Sequence, residues 1–322
     1  MVLRRDPQVH TKMTSLTEAL GETEQAPVGD VVARRRSGHR MMDYIAATAA
    51  PVDGVETESF AIPGSDGAAL DATWYRRSAD AQPGSAVLYL HGGGMIFSLE
   101  EMGKVYDLVA RRYVAASGVP MLLVDYRVAP EYPHPTPVED CYAALTWLAG
   151  HSDALDFEPS RLAVMGDSAG GGLAAGVCLM ARDRGGPAIS QQLLIYPMLD
   201  DRPSRPDSAI NIKKFLTWTT DDNLTGWGAL LGDRAGGDDV SPYAAPARQT
   251  DLAGLPDTYI DVGDLDIFRD EDIEYARRLS DAGVPTELHL HPGCPHAFEV
   301  LAYGADVSLR TLNDRIRRLR CL

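Results

Sequence analysis

Residues Gly166-Asp167-Ser168-Ala169-Gly170 form a G-x-S-x-G motif, a spacing that can arm a serine as a nucleophile. The apolar run Arg161–Met165 before them reads as a strand, and Gly171–Met180 after them reads as the first turns of a helix. Strand, sharp turn and helix together make a nucleophile elbow. The flanking glycines have a steric reason: the serine backbone is strained in such a turn, and a Cβ on either side would crowd it. Upstream stands His91-Gly92-Gly93-Gly94. A loop of this type offers backbone N–H groups to the oxygen that turns negative when a carbonyl is attacked. The chemistry on offer is acyl transfer, with Ser168 as nucleophile and the amides of Gly93, Gly94 and Ala169 as the oxyanion hole. Gly93 and Gly94 let the carbonyl approach without a Cβ in the way, and Ala169 opens a helix, where free N–H groups and the dipole favour negative charge.

In chain order, four segments carry a resemblance to a known family. They are His91–Gly94; Asp125-Tyr126-Arg127-Val128-Ala129-Pro130-Glu131, close to D-Y-R-L-A-P-E; Gly166–Gly171; and the pair Asp266 and His296. Together they resemble the bacterial hormone-sensitive-lipase-like carboxylesterases of the α/β-hydrolase superfamily, over residues 55–320. Asp140–Leu145 and Tyr243–Pro246 are similar to the actinobacterial members of heroin-esterase type. The resemblance implies an α/β fold: a mostly parallel eight-stranded sheet, helices on both faces and a helical cap. It implies no metal and no organic cofactor.

A serine hydroxyl is a weak nucleophile until a base takes its proton, and that base needs an acid to hold its tautomer. In this fold the order along the chain is Ser, acid, His. The base is then His289, His291 or His296. The first two sit within a strand and project onto one face of the sheet. His296 follows the loop Pro292-Gly293-Cys294-Pro295 beyond the strand's C-terminal end, where catalytic groups collect in open α/β sheets. His296-Ala297-Phe298 also matches the family's H-x-F, so His296 is the expected base. Candidates for the acid are Asp261, Asp264, Asp266 and Asp270. Asp261 lies inside a strand, and Asp270 reads as the N-cap of the next helix. Asp264 and Asp266 share the turn; the family pattern favours Asp266, with Ile267 standing where the family usually has Pro. His91 reads as a structural residue of its loop, Asp167 as a hydrogen-bonding residue of the elbow, and Tyr126, Arg127 and Glu131 as braces. Met95, Phe97 and Trp218 are expected to line the substrate pocket.

The elements that must position these groups alternate between strand and helix patterns. Val55–Ile62 and Leu70–Arg76 flank Gly64-Ser65-Asp66-Gly67 and read as an antiparallel hairpin. Ala86–Leu90, Met121–Val124, Gln192–Tyr196 and Thr258–Val262 read as buried strands, and Thr286–His291 as an edge strand. Met102–Ser117, Pro137–Leu148, Glu271–Asp281 and Asp306–Leu319 read as helices. Residues 51–322 form the catalytic domain, and residues 1–50 an N-terminal cap segment with a helix over Val31–Ala50 and a frayed tail over roughly the first 15 residues. An irregular insertion at about 200–245, carrying Phe215, Trp218 and Trp227, is the second part of the cap.

A chain of 322 residues buries a sizeable core without disulfides or metal. Its net charge of −16 argues against nucleic acid and anionic membranes as partners. Cys141, Cys178, Cys294 and Cys321 lack metal-ligand spacing and suit free thiols in a reducing cytoplasm, although Cys294 stands near the expected base. Arg4 and Arg5 are not followed by an apolar stretch of the kind a signal peptide needs, and no run is long enough to span a bilayer. The expected activity is hydrolysis of small, short-to-medium-chain carboxylic esters, with homodimerisation through the edge strand. A lactonase, or a deacetylase or amidase acting on a natural product or drug, would use the same triad. A non-catalytic small-molecule receptor, as in the plant gibberellin receptors that resemble this family, would lack the histidine present here.

Overall fold

Eight strands form one sheet in the order β1-β2-β4-β3-β5-β6-β7-β8. They are β1 Val55–Pro63, β2 Ala69–Arg77, β3 Gly84–Leu90, β4 Met121–Val124, β5 Phe157–Asp167, β6 Gln191–Ile195, β7 Asp257–Gly263 and β8 Thr286–His291. Only β2 runs against its neighbours; the pairs from β4 to β8 are parallel. The structure is a computed structural model and describes residues 4–21, 26–77, 84–202, 215 and 217–322. Part of the expected second insertion, 203–214 and 216, therefore lies outside the described residues.

The helices are α1 Pro7–Leu20, α2 Val31–Thr48, α3 Leu99–Ser117, α4 Thr136–Gly150, α5 Ser152–Leu155, α6 Ala169–Arg184, α7 Thr220–Leu231, α8 Arg269–Asp281, α9 Phe298–Leu301 and α10 Asp306–Leu319. The central strands are apolar on both faces because helices cover both. Along β3, Ala86, Leu88 and Leu90 pack with α4 and α6, whereas Val87 and Tyr89 pack with α3. β5 divides in the same way, Leu162 and Val164 to one side and Ala163 and Met165 to the other. This period of two splits the interior into two cores, and it leaves the C-terminal ends of β3, β5, β7 and β8 to carry the loops of interest.

The structure corrects three expectations. The N-terminus is not frayed from the start. Asp6 caps α1 by accepting from the N–H groups of Gln8 and Val9, and Val9 is fully buried against Phe298, Leu301 and Ala302. α3 begins three residues earlier than its apolar pattern suggests, because Ser98 and Glu101 form a reciprocal capping box. Asp270 does not cap α8; the cap position is Phe268, and Asp270 lies in the first turn beside Arg269.

Candidate active site

β5 ends at Asp167, α6 begins at Ala169, and Ser168 alone makes the turn between them. Its backbone sits at φ 55° and ψ −121°, which a residue with a Cβ adopts only when its surroundings force it. Three hydrogen bonds hold it there. Its N–H donates to Ile195 O at 2.8 Å, and its carbonyl accepts from Gly172 N at 3.0 Å and Met198 N at 2.9 Å. The glycines are required by contact. A Cβ on Gly166 would lie 2.2 Å from Gly170 O, and one on Gly170 would lie 2.1 Å from Leu90 O.

His296 leaves the loop after β8 and Asp266 the loop after β7, as parallel neighbours allow. His296 Nε2 lies 2.9 Å from Ser168 Oγ, and Nδ1 lies 2.7 Å from Asp266 Oδ2. Asp266 is fully buried, and its Oδ1 accepts from Phe268 N at 3.0 Å. An ionised carboxylate only accepts, so Nδ1 carries the proton and Nε2 is free to accept from the serine. Tyr196 and Phe268 stand edge-on to the imidazole with centroids 4.7 and 5.2 Å away, and Thr217 Oγ1 donates to His296 O at 2.6 Å. The other candidates are occupied elsewhere. Asp264 Oδ1 accepts from Gly293 N at 2.6 Å, His289 pairs with Glu287, and His291 is buried against Thr311. Asp261 takes a two-pronged bond from Arg315 at 2.7 Å on each oxygen. Arg315 also bonds Glu299 at 2.6 Å, which ties the helical turn after His296 to β7 and α10. Asp6 N–H donates to Gly293 O at 2.9 Å, so the segment leading into α1 braces the loop that precedes His296. Cys294 is buried beside α1, and burial pushes its thiol well above the usual range, far from a reactive thiolate.

The glycine loop is held from several sides. His91 is fully buried, and burial lowers its pKa to about 4, so it is neutral. Its Nδ1 donates to Gly92 O at 2.8 Å, which fixes the peptide plane that carries the Gly93 N–H. The ring stacks on Tyr126 at 4.2 Å, and Tyr126 Oη donates to His91 O at 2.6 Å. Arg35 of α2 reaches Ile96 O at 2.6 Å and grips Glu131 with two bonds of 2.7 Å. Arg127 is held by Asp140 and Asp66. Gly93 and Gly94 adopt φ values of 120° and 58°, and their N–H groups donate to no acceptor among the described residues. The Ala169 N–H, at the start of α6, is one of the four amides that a helix leaves unpaired.

A cavity of about 130 Å³ opens at Ser168 and His296, with Phe97, Trp218, Met41 and Met42 among its walls. Trp218 presses on the glycine loop so closely that a Cβ on Gly94 would lie 2.1 Å from its ring. Phe97 meets Gly38 of α2 in the same way, at 2.4 Å. Met95 does not belong to this lining. It is 1 % exposed and packs into the α4–α6 core, with its backbone at φ 66°. A larger open cleft of about 820 Å³, framed by Asp200, Arg202, Arg248 and Arg278, includes none of Ser168, His296 and Asp266. Sequence reasoning missed Arg35, Arg315, Tyr106 and Tyr196, whose partners are distant along the chain; no local motif marks them.

The alpha/beta hydrolase fold family matches residues 87–300. The chain belongs to that family, among its hormone-sensitive-lipase-like carboxylesterases. Its similarity to the esterase LipI of Mycobacterium tuberculosis is 38 % identity, covering 77 % of this chain and 76 % of that one. To the carboxylic ester hydrolase LipN of the same organism it is 33 % identical, over 96 % and 81 %. Among solved structures, the bacterial heroin esterase superposes with a TM-score of 0.87 at 35 % identity, covering 98 % of this chain and 97 % of that one.

Proposed function

We propose that the protein hydrolyses short-to-medium-chain carboxylic esters through an acyl-enzyme on Ser168. The observation that carries this reading is the unbroken hydrogen-bonded line from Ser168 Oγ through His296 to the buried Asp266. Ser168 Oγ attacks the ester carbonyl while His296 Nε2 takes its proton and Asp266 stabilises the resulting imidazolium. The carbonyl oxygen becomes negative within reach of the amides of Gly93, Gly94 and Ala169. The C–O bond to the alcohol then breaks, and His296 gives the proton to the leaving oxygen. Water, deprotonated by His296, attacks the acyl-enzyme, and Ser168 leaves with that proton.

The cavity supports a short acyl group: its 130 Å³ approaches the roughly 150 Å³ of an apolar cavity that admits benzene. Residues 1–50 and about 200–245 are read as the cap over the catalytic domain 51–322. This is supported by the Arg34–Asp222 ion pair of 2.8 Å between α2 and α7 and by Trp218 and Phe97 at the cavity wall. No described helix is long and apolar enough to cross a membrane. A cytoplasmic setting is supported by four unpaired cysteines, and a homodimer by the edge strand β8, with Leu288 and Leu290 exposed. The net charge of −16 is unsuited to nucleic acid. Labelling with a phosphonate ester followed by peptide mapping tests the mechanism. The label is expected on Ser168 and turnover is expected to vanish in Ser168→Ala; a label on another residue defeats the reading.

A further inference from the structure

Asp167, the residue just before the nucleophile, has a carboxylate that the triad does not use. It is buried, and it accepts from Tyr89 Oη at 3.0 Å and from Tyr106 Oη at 2.7 Å. The Tyr106 hydroxyl also receives Gly92 N–H at 2.7 Å. The direction of each bond is fixed by chemistry. An amide N–H can only donate, so the hydroxyl accepts from Gly92 and must spend its single proton on Asp167. The result is one chain, Gly92 N–H to Tyr106 O–H to the Asp167 carboxylate, linking the glycine loop to the nucleophile elbow. The approach is close enough that a Cβ on Gly92 would lie 2.5 Å from Asp167 Oδ2 and 2.8 Å from Tyr106 Oη. This, rather than an unusual φ, is what requires glycine at 92.

The geometry bears on the proposed oxyanion hole because its donors come from two separate pieces of chain. Gly93 and Gly94 follow β3, and Ala169 follows Ser168. An oxyanion site works only when its donors already stand at hydrogen-bond distance from where the charge will form. Something must therefore fix the loop against the elbow. His91 and Tyr126 set the orientation of the loop's peptide planes, but among the described residues neither side chain hydrogen-bonds to the elbow. The Asp167–Tyr106 chain does. We propose that Asp167 and Tyr106 are positioning residues that hold the Gly93 and Gly94 amides in register with Ser168, an inference that rests on the oxyanion assignment made under the proposed function. Burial pushes the Asp167 pKa up to about 6, so at neutral pH the carboxyl is ionised and bonds to an anion reinforce the chain.

Tyr89 supplies an internal control, because it bonds the other oxygen of the same carboxylate and its hydroxyl is not the partner of Gly92 N–H. Each hydroxyl gives Asp167 one buried hydrogen bond, but Tyr106→Phe also removes the acceptor of Gly92 N–H, so it alone cuts the link to the loop. With p-nitrophenyl acetate, Tyr106→Phe is expected to lower kcat about tenfold or more with KM within twofold. Its affinity for a boronic acid that forms a tetrahedral adduct on Ser168 should fall in proportion. Tyr89→Phe is expected to lose less than threefold in kcat. If Tyr106→Phe does not fold, Asp167→Ala serves, since it removes the acceptor of the Tyr106 hydroxyl and so cuts the same chain; the same kcat loss at constant KM is expected. Equal losses in Tyr106→Phe and Tyr89→Phe, a Tyr106→Phe kcat within threefold of the wild type, or an Asp167→Ala kcat within threefold overturn the proposal. A Ser168→Ala protein that still turns over overturns the acyl-enzyme reading itself. An inactive Ser168→Ala beside an unimpaired Tyr106→Phe removes only the positioning role.

Discussion

Asn in place of Asp266 preserves the size of the side chain and reverses one of its two hydrogen bonds. Oδ1 of Asp266 accepts from Phe268 N at 3.0 Å, and a backbone N–H can only donate. The amide oxygen of Asn is therefore held on that side, and its NH₂ group is turned toward His296 Nδ1, 2.7 Å from the present Oδ2. Two donors cannot face each other, so Nδ1 must give up its proton and Nε2 must carry it. Nε2 then donates to Ser168 Oγ at 2.9 Å instead of accepting from it, and the serine has no base. A wrong tautomer of this kind costs about 10⁴ in kcat, close to 5.4 kcal/mol at about 1.36 kcal/mol per decade. Asp264→Asn should cost far less, because Asp264 bonds Gly293 N and not the imidazole. The assay is steady-state turnover of p-nitrophenyl acetate, with thermal melting to confirm the fold. An Asp266→Asn enzyme within tenfold of the wild type, or an Asp264→Asn enzyme that is the more damaged of the two, refutes the assignment.

Specificity constants on p-nitrophenyl esters should peak between acetate and octanoate and fall steeply for palmitate, since one methylene in an apolar pocket is worth roughly 1 kcal/mol. Strong activity on emulsified long-chain triglyceride, with a jump above its solubility limit, would show a lipase instead. Arg315→Met leaves the buried carboxylates of Asp261 and Glu299 without their cation and should destabilise the fold by about 3–5 kcal/mol in denaturant titration. A loss below 1 kcal/mol contradicts this. Asp272 is fully buried with neither oxygen hydrogen-bonded among the described residues; burial, then the charges of Glu271, Asp266 and Asp261, raise its pKa well above the ordinary value. Above about pH 4 the folded state then holds a proton that the unfolded chain releases, so this group makes stability fall as pH rises. Asp272→Asn should accordingly gain melting temperature over the wild type at pH 8 and not at pH 4.5; parallel curves would count against it.

The parts of this protein that its sequence determined alone are those built from neighbours in the chain. Ser168 and its glycines occupy one turn, so their steric demands appear as a short motif, and the Cβ distances at Gly166 and Gly170 explain why. The same holds for His91–Gly94 and for the strands, whose apolar runs follow from burial on both faces. Met121–Val124 and Asp306–Leu319 were legible to the residue. His296 was legible because its loop leaves the C-terminal end of a strand, and Asp266 only through the family pattern, since Asp264 shares its turn. The tertiary structure decided what depends on side chains far apart in sequence. Asp264 is bound to Gly293, which leaves Asp266 for the imidazole. α1 reads as polar, yet Val9 and Met13 are enough to seat it against α9, because a docked helix needs only one apolar stripe. Phe97 and Trp218 line the cavity whereas Met95 is buried in the α4–α6 core, a distinction that the apolar character all three share does not make. Arg315 finds Asp261 across 54 residues, and Tyr106 finds Asp167 across 61. No local pattern encodes such pairs, because burial and charge complementarity between them exist only once the sheet has brought its strand ends together.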